Sequence, residues 1–473
     1  MLVLLITALF VASTQLPSRA AGPSVPELLR VEHPDLRPNQ QRLVELDKKV
    51  ILELVAFARY NIHFHEETNR HWVWRTWLYP IAQEAGTAAS FANTLIDLRE
   101  RAHGLKSTDL ISTAMQKRGL KSAITGNAIS GSASALELAQ NVMIVSIAGR
   151  QGYSPKQSVN FVKQRLQTID ALLSEREQVV GITRPGQIHQ MHELEGHLLQ
   201  HVRDELLLEF KRWSTHSRET MWRENTFYTI DSAQNFTSMT AGIISRNAFG
   251  LPSLKGTAAI GALVANTMTA LNPPLKMAVG VGMRKYQRWY LERVLPNKRR
   301  ELTTEILSNW DLKQLAASSD DGSSDKLHIQ EAVFLADNAK FAEGALSHEQ
   351  KQIEKLRQVA VQQSVSGPII GTASVARSLL ATIAYYEYRG DAVTGNKLAL
   401  AGRISQTAGQ TYSLINTPLT RINQSIYTHK LKSRGELPSQ VLAARLKQLD
   451  DLQHQIESTQ KPAATPEGRS REN

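Results

Sequence analysis

At 473 residues the chain is long enough for roughly two to four domains with cores of ordinary size, and 42% hydrophobic with 21% charged residues excludes both a wholly disordered chain and a polytopic transporter. The absence of cysteine removes disulfides, thiolate nucleophiles, zinc fingers and iron–sulfur clusters together. A formal net charge of +11 favours anionic partners such as lipid headgroups, acidic glycans or nucleic acid.

Leu2–Ala12 is apolar apart from Thr7, and Ser18-Arg19-Ala20 follows as a small-x-small step, so residues 1–20 read as an export signal. The run is too short to anchor in a bilayer, and no Lys or Arg precedes it. Export without disulfides suits a bacterial periplasm and makes nucleic acid the least expected anionic partner. Residues 21–39, with Pro23, Pro26, Pro34 and Pro38 following Pro17, read as an extended leader.

From Leu43 the series Leu43, Leu46, Val50, Leu54, Phe57 steps by three or four residues, which predicts an amphipathic helix reaching Leu78, where Pro80 ends it. Along its later part His63, Glu67, Arg70, His71 and Trp74 share a face that joins acid–base groups to an aromatic wall. The plainer reading is a helix anchored by its tryptophans. The segment Ala123–Gly149 comes next, a mixture of Gly, Ala and Ser with branched aliphatics that carries Glu137 near its centre. Stripes at Val159–Ile169–Leu172 and Val202–Leu206–Phe210–Trp213 predict two further helices.

Between those stripes lies a row of metal-ligand residue types. His189, Glu193, His197 and His201 fall at successive i, i+4 positions, and such a row extends for about 18 Å, so one ion can use only two adjacent members. His197 and His201 are the preferred clamp, with Glu193 and His189 as alternatives. A metal-dependent enzyme built on this row is the rival functional class, and a polar helix face is the plain alternative. Neither a Gly-x-Ser-x-Gly nucleophile motif nor a P-loop is present, so no catalytic residue and no cofactor is expected.

Gly256–Leu275 is free of charge, but Asn266, Asn272 and Pro273-Pro274 shorten its apolar part to Ala258–Leu271. The expectation is an apolar helical hairpin, buried or re-entrant rather than spanning. Pairs of small residues four apart, Gly261 with Ala265 and Gly367 with Gly371, predict helices in close backbone contact. In Val365–Tyr386 a central Arg377 opposes insertion, as Glu137 does in the first such segment. After the hairpin, Arg284, Lys285, Arg288, Arg293, Lys298, Arg299 and Arg300 stand against Glu292, with Tyr286, Trp289 and Tyr290 interleaved. Apolar stretch, aromatic belt and cations in that order suit an interfacial anchor on anionic lipid, and a solvated basic helix is the bland alternative.

Residues 316–325 are too polar to bury surface and read as a linker between a main helical domain, 40–315, and a C-terminal one, 326–459. The steps Leu442–Leu446–Leu449–Ile456 predict a last helix, and 460–473 reads as a disordered tail. No period-two alternation bounded by turns occurs. The expected fold is therefore all-α, a multi-helix bundle with tightly packed Gly/Ala-rich helices and one apolar hairpin. The expected function is that of an exported, non-enzymatic interaction or scaffold protein contacting an anionic membrane surface or an envelope protein. Self-association through the glycine faces is part of that expectation, and a pore-forming bundle is the alternative within the binding class.

Overall fold

The computed structural model describes residues 38–68, 75–105, 113–182, 187–251, 253–296, 371–388, 390–433 and 438–458. The export signal, the leader before 38, Arg70, His71, Trp74, Lys298, Arg299, Arg300, Gly367, the linker 316–325 and the tail 460–473 lie outside them. Among the described residues the fold is all-α, with helices α1 (Pro38–Thr68), α2 (Arg75–His103), α3 (Thr113–Arg150), α4 (Pro155–Ile182), α5 (Gln187–Asn247), α6 (Leu254–Val294), α7 (Ala392–Ser433) and α8 (Pro438–Ser458). Residues 371–386 form a further helical segment.

Two expected boundaries move. Pro38, expected in the leader, opens α1 at a position where its missing amide has no helical acceptor to lose. Pro80 does not end a helix: it lies within the first two turns of α2, where it removes one backbone bond and leaves the rest of the ladder intact. The expected hairpin is also corrected, because α6 runs unbroken from Leu254 to Val294 through Pro273-Pro274. The prolines delete the amides that would reach the carbonyls of Thr269 and Ala270, which weakens one turn without reversing the chain. Neighbouring helices hold that turn, since Asn272 Nδ2 donates to the Phe227 carbonyl at 3.3 Å.

The described chain groups into two compact units, each assembled from separate stretches. The first, 38–67, 145–203 and 446–458, is an ordinary amphipathic bundle. Leu43, Leu46, Val50, Leu54 and Phe57 of α1 are all buried, as are Val159, Val162, Leu166, Ile169 and Leu173 of α4. Contacts of Arg42 with Glu175, of Glu53 with Arg165 and of Tyr60 with Phe161 set α1 and α4 antiparallel. Arg59 reaches Asp450 and Gln453, which fastens α8 to α1.

The second unit, 75–144, 204–296 and 371–445, buries Leu206, Leu207, Phe210, Trp213 and Leu291 in the same way but is built differently over most of its length. Its helices meet as antiparallel neighbours in a closed circuit. Gly86 meets Gly126 between α2 and α3, Asn141 bonds Asn225 between α3 and α5, and Arg284 pairs with Glu219 between α6 and α5. Asn266 then reaches Ser378 of the segment, Gly402 of α7 rests on Arg377, and Arg403 of α7 pairs with Asp97 to return to α2. The interior along this circuit is small and polar. Between Ser214 and Gln287 the buried apolar side chains are alanines, Ala241, Ala248, Ala258 and Ala265, while Glu219, Asp231, Asn235 and Asn272 are buried beside them.

Close backbone approach takes the place of large core side chains. A Cβ on Gly126 would lie 2.5 Å from the Gly86 carbonyl oxygen, and one on Gly371 would lie 2.6 Å from Ala270 Cα. One on Gly242 would meet Ile124 at 2.9 Å. Glycines that cost about 1 kcal/mol each in a helix interior are retained where helices touch.

Candidate functional site

Helix α6 carries the expected cationic stretch at its C-terminal end, and the polarity of the whole helix gives that stretch its setting. Its buried residues are Gly256, Ala258, Ala265, Asn272, Gly280, Gln287 and Leu291. Leu291 apart, large apolar side chains lie on the opposite side, with Ile260, Val264, Leu271, Leu275, Met277, Val281 and Trp289 all exposed. Ile260, Val264, Leu271, Leu275 and Trp289 recur at helical spacing, so they form one outward stripe along the helix. An amphipathic helix in a water-facing bundle has the opposite arrangement.

At the end of the stripe Tyr286 and Trp289 lie with ring centroids 6.1 Å apart, and Tyr290 stacks on Tyr286 at 6.5 Å. The Arg293 guanidinium sits 5.7 Å from the Trp289 ring, within cation–π range. Lys285, Arg288 and Arg293 are exposed around these rings. Behind them Arg218 of α5 faces Tyr286 and Tyr290, and burial works against its charged form.

Arg284 separates from its expected companions. Its Nε and Nη2 both donate at 2.6 Å to the buried carboxylate of Glu219, a bidentate pair that raises its pKa. Gln287, one turn further on, donates to Ser214 Oγ at 3.2 Å. These two residues clamp α6 to α5, and the cations on the outer face are Lys285, Arg288 and Arg293.

Helix α6 has a counterpart that apolar periodicity in the sequence did not single out. Helix α7 holds Lys397, Arg403, Arg421, Lys430 and Lys432 and no acidic residue. Ile404, Tyr412, Ile415, Leu419, Ile422 and Ile426 are exposed on it, and beyond Gly409 none of its described residues is buried. A recess of about 560 Å³ is lined, among the described residues, by Ala408, Thr411, Tyr412, Ile415, Asn416 and Leu419. Among the described residues no helix is long and apolar enough to cross a membrane.

The histidine row resolves into local pairs in the first unit. His189 Nε2 lies 3.3 Å from Glu193 Oε1, and His192 Nδ1 lies 3.5 Å from Glu195 Oε2. Among the described residues no group of three or more His, Asp or Glu comes together to hold a metal, so His197 and His201 gain no further ligand there. What organises the region is Arg176, whose side chain is buried against Asp47 and donates to Glu195 at 2.8 Å and to the His192 carbonyl at 2.7 Å. Gly196 makes room for it, because a Cβ there would stand 2.8 Å from Arg176 Nη1. Of the other candidate face, His63 is exposed beside Glu66 at 3.5 Å.

A second polar centre in the interior surrounds Asp231 of α5. Its carboxylate accepts from Ser134, from Gln83 at 2.9 Å and from Gln234 at 2.8 Å, with Tyr79 at 3.3 Å. Burial pushes the Asp231 carboxyl up, against the pull of those donors, while burial and the adjacent carboxylate push the Tyr79 phenol up. The donors come from α2, α3 and α5, so the centre ties three helices together.

No protein-family model, no curated protein and no solved structure matches the chain.

Proposed function

We propose that the protein is an exported, non-enzymatic helical interaction protein of a bacterial envelope, whose second unit lies against an anionic membrane surface. The observation that carries this reading is the inverted polarity of that unit between Ser214 and Gln287 and along α7: alanine, glycine and polar groups are buried there, and large apolar side chains of α6 and α7 are exposed. Large apolar side chains left about half exposed forgo a share of the roughly 1.5–3 kcal/mol each that full burial returns. A surface arranged in continuous stripes marks a contact.

Charge selects the kind of contact. Helix α6 carries six Lys or Arg against Glu292 alone, and α7 carries five against none. Apolar stripes flanked by cations and by Tyr286 and Trp289 fit the boundary between anionic headgroups and acyl chains. A basic surface disfavours pairing with itself, which places a second copy behind a lipid or an acidic envelope protein as the occupant.

Flotation of the full-length chain with vesicles of phosphatidylglycerol and phosphatidylcholine tests the reading. Co-flotation at low salt that weakens at high salt is expected. Absence of flotation in both conditions overturns the membrane reading.

A second reading, a pore-forming bundle, draws on the closed antiparallel circuit of the second unit. Such a circuit presents polar groups inward and apolar groups outward, as a lipid-embedded body requires. Release of a vesicle-entrapped dye separates the two, because surface attachment leaves the dye enclosed.

A further inference from the structure

We propose that Arg101, Arg377 and Arg403 of the second unit form a binding site for a phosphate-type oxyanion. They come from three helices: Arg101 from α2, Arg377 from the segment 371–386, and Arg403 from α7. Among the described residues the carboxylate that faces them is Asp97, so three cations share one anion. Buried charges are ordinarily paired, and an excess of two cations is matched by a dianion.

The hydrogen bonds leave donors to spare. Arg101 Nε donates to Asp97 at 3.1 Å and its Nη1 donates to Asn396 at 3.3 Å. Arg403 Nε pairs with Asp97, and its Nη1 donates to Gln406 at 3.0 Å. Among the described residues neither Nη2 has an acceptor, and no nitrogen of Arg377 has one. Two guanidinium edges and a whole guanidinium therefore remain for a ligand with several acceptor oxygens, a donor set that suits phosphate.

The backbone is shaped to bring these groups together. A Cβ on Gly402 would lie 3.0 Å from Arg377 Cα and 3.1 Å from its carbonyl oxygen, so glycine lets α7 rest on the segment where Arg377 and Arg403 stand. Without a ligand the arrangement is unfavourable. Desolvation works first against the charged form of Arg377, and repulsion from Arg403 adds to it. Arginine keeps its proton under these conditions, so an oxyanion, not deprotonation, relieves the imbalance. Arg101 and Arg377 retain partial solvent access, which leaves a route in.

The site does not rest on the membrane reading, and failed flotation leaves it standing. Inorganic phosphate is titrated into the full-length protein against chloride at constant ionic strength, read by calorimetry and by phosphorus line width. Saturable one-to-one binding is expected, weakened at least about tenfold in Arg377→Gln, the loss of one charge-assisted contact. Arg377→Gln removes a cation disfavoured by desolvation and repelled by Arg403 and Arg101, so its unliganded form should melt no lower than wild type. If that variant does not fold, Arg101→Gln, which keeps the Arg403–Asp97 pair, must show the same weakening. Absence of saturable binding by wild type, or equal binding by a folded variant, overturns the proposal. Short-chain phosphatidic acid identifies the source of the ligand: displacement of bound phosphate assigns a lipid headgroup, and none assigns a free phosphate.

Discussion

Gly86 of α2 and Gly126 of α3 meet backbone to backbone, each Cα facing the other's carbonyl: a Cβ on Gly86 would stand 2.7 Å from the Gly126 oxygen. No side chain of any size fits between them. Gly126→Ala should therefore destabilise the protein by about 1–3 kcal/mol despite alanine's higher helix propensity. Gly282→Ala in α6 is the control, because a Cβ there meets nothing within 4 Å. It should stabilise by about 0.5–1 kcal/mol. Thermal melts of the two variants read opposite signs from one substitution type, and a common sign would refute close packing as the reason for Gly126.

Arg284 and Trp289 are close in sequence and separate in role. Arg284→Ala leaves the Glu219 carboxylate buried without its bidentate partner and should cost about 1–3 kcal/mol of stability. Trp289 is 55% exposed, so Trp289→Ala should change stability by less than about 0.5 kcal/mol. Its effect should appear in vesicle binding, weakened by about tenfold or more through the lost ring contact. If Trp289→Ala lowers the melting midpoint and leaves flotation unchanged, the ring belongs to the fold and not to a contact surface.

How much of this was legible follows from where the information sits along the chain. Leu43, Leu46, Val50, Leu54 and Phe57 repeat at one helical period, and all five are buried, because the first unit buries the apolar face that its sequence presents. In α6 the same rule fails. Ile260, Val264, Leu271 and Leu275 form an equally regular stripe, and periodicity says which residues share a face but not whether that face turns inward. The glycines supplied the missing clue, since close approach at Gly261 and Gly371 needs the small-residue face inside. Pro273-Pro274 interrupts the apolar run without reversing the chain, because a proline pair removes donors without fixing a turn. Arg101, Arg377 and Arg403 stood too far apart in sequence for any spacing rule to join them.

Acid should act on the second unit through Asp97. Burial pushes its carboxyl up, but Arg403, Arg101 and Arg377 together outweigh that and hold it at about 2, below its ordinary 3.8. A folded pKa below the unfolded one means that the charged form is favoured in the fold. The stabilisation is present above about pH 4 and is lost as pH falls through 4 towards 2. The contribution is on the order of 2 kcal/mol. Asp97→Asn should thus be destabilised at pH 7, and the gap between its melting midpoint and that of wild type should narrow from pH 4 to pH 2. A gap that stays constant over that range would mean the carboxylate is not held by the arginines.

The outer face of α7 gives the sharpest separation between folding and function. Ile415, Leu419, Ile422 and Ile426 step by four, three and four residues, the spacing of an apolar seam, and each is at least half exposed. A helix with no buried residue among the described ones beyond Gly409 gains little from its own unit there, and an isolated helix of this kind is marginal in water. Replacing Leu419 and Ile422 together by Glu should leave the melting midpoint within about 0.5 kcal/mol of wild type in free energy. The same pair should abolish flotation with anionic vesicles, since each change removes apolar contact and sets a negative charge before a negative surface. Leu419→Lys with Ile422→Lys separates the two causes. If charge dominates, the lysine pair floats; if apolar burial dominates, it does not. Unimpaired flotation of the glutamate pair would remove α7 from the contact and leave α6 to carry it alone.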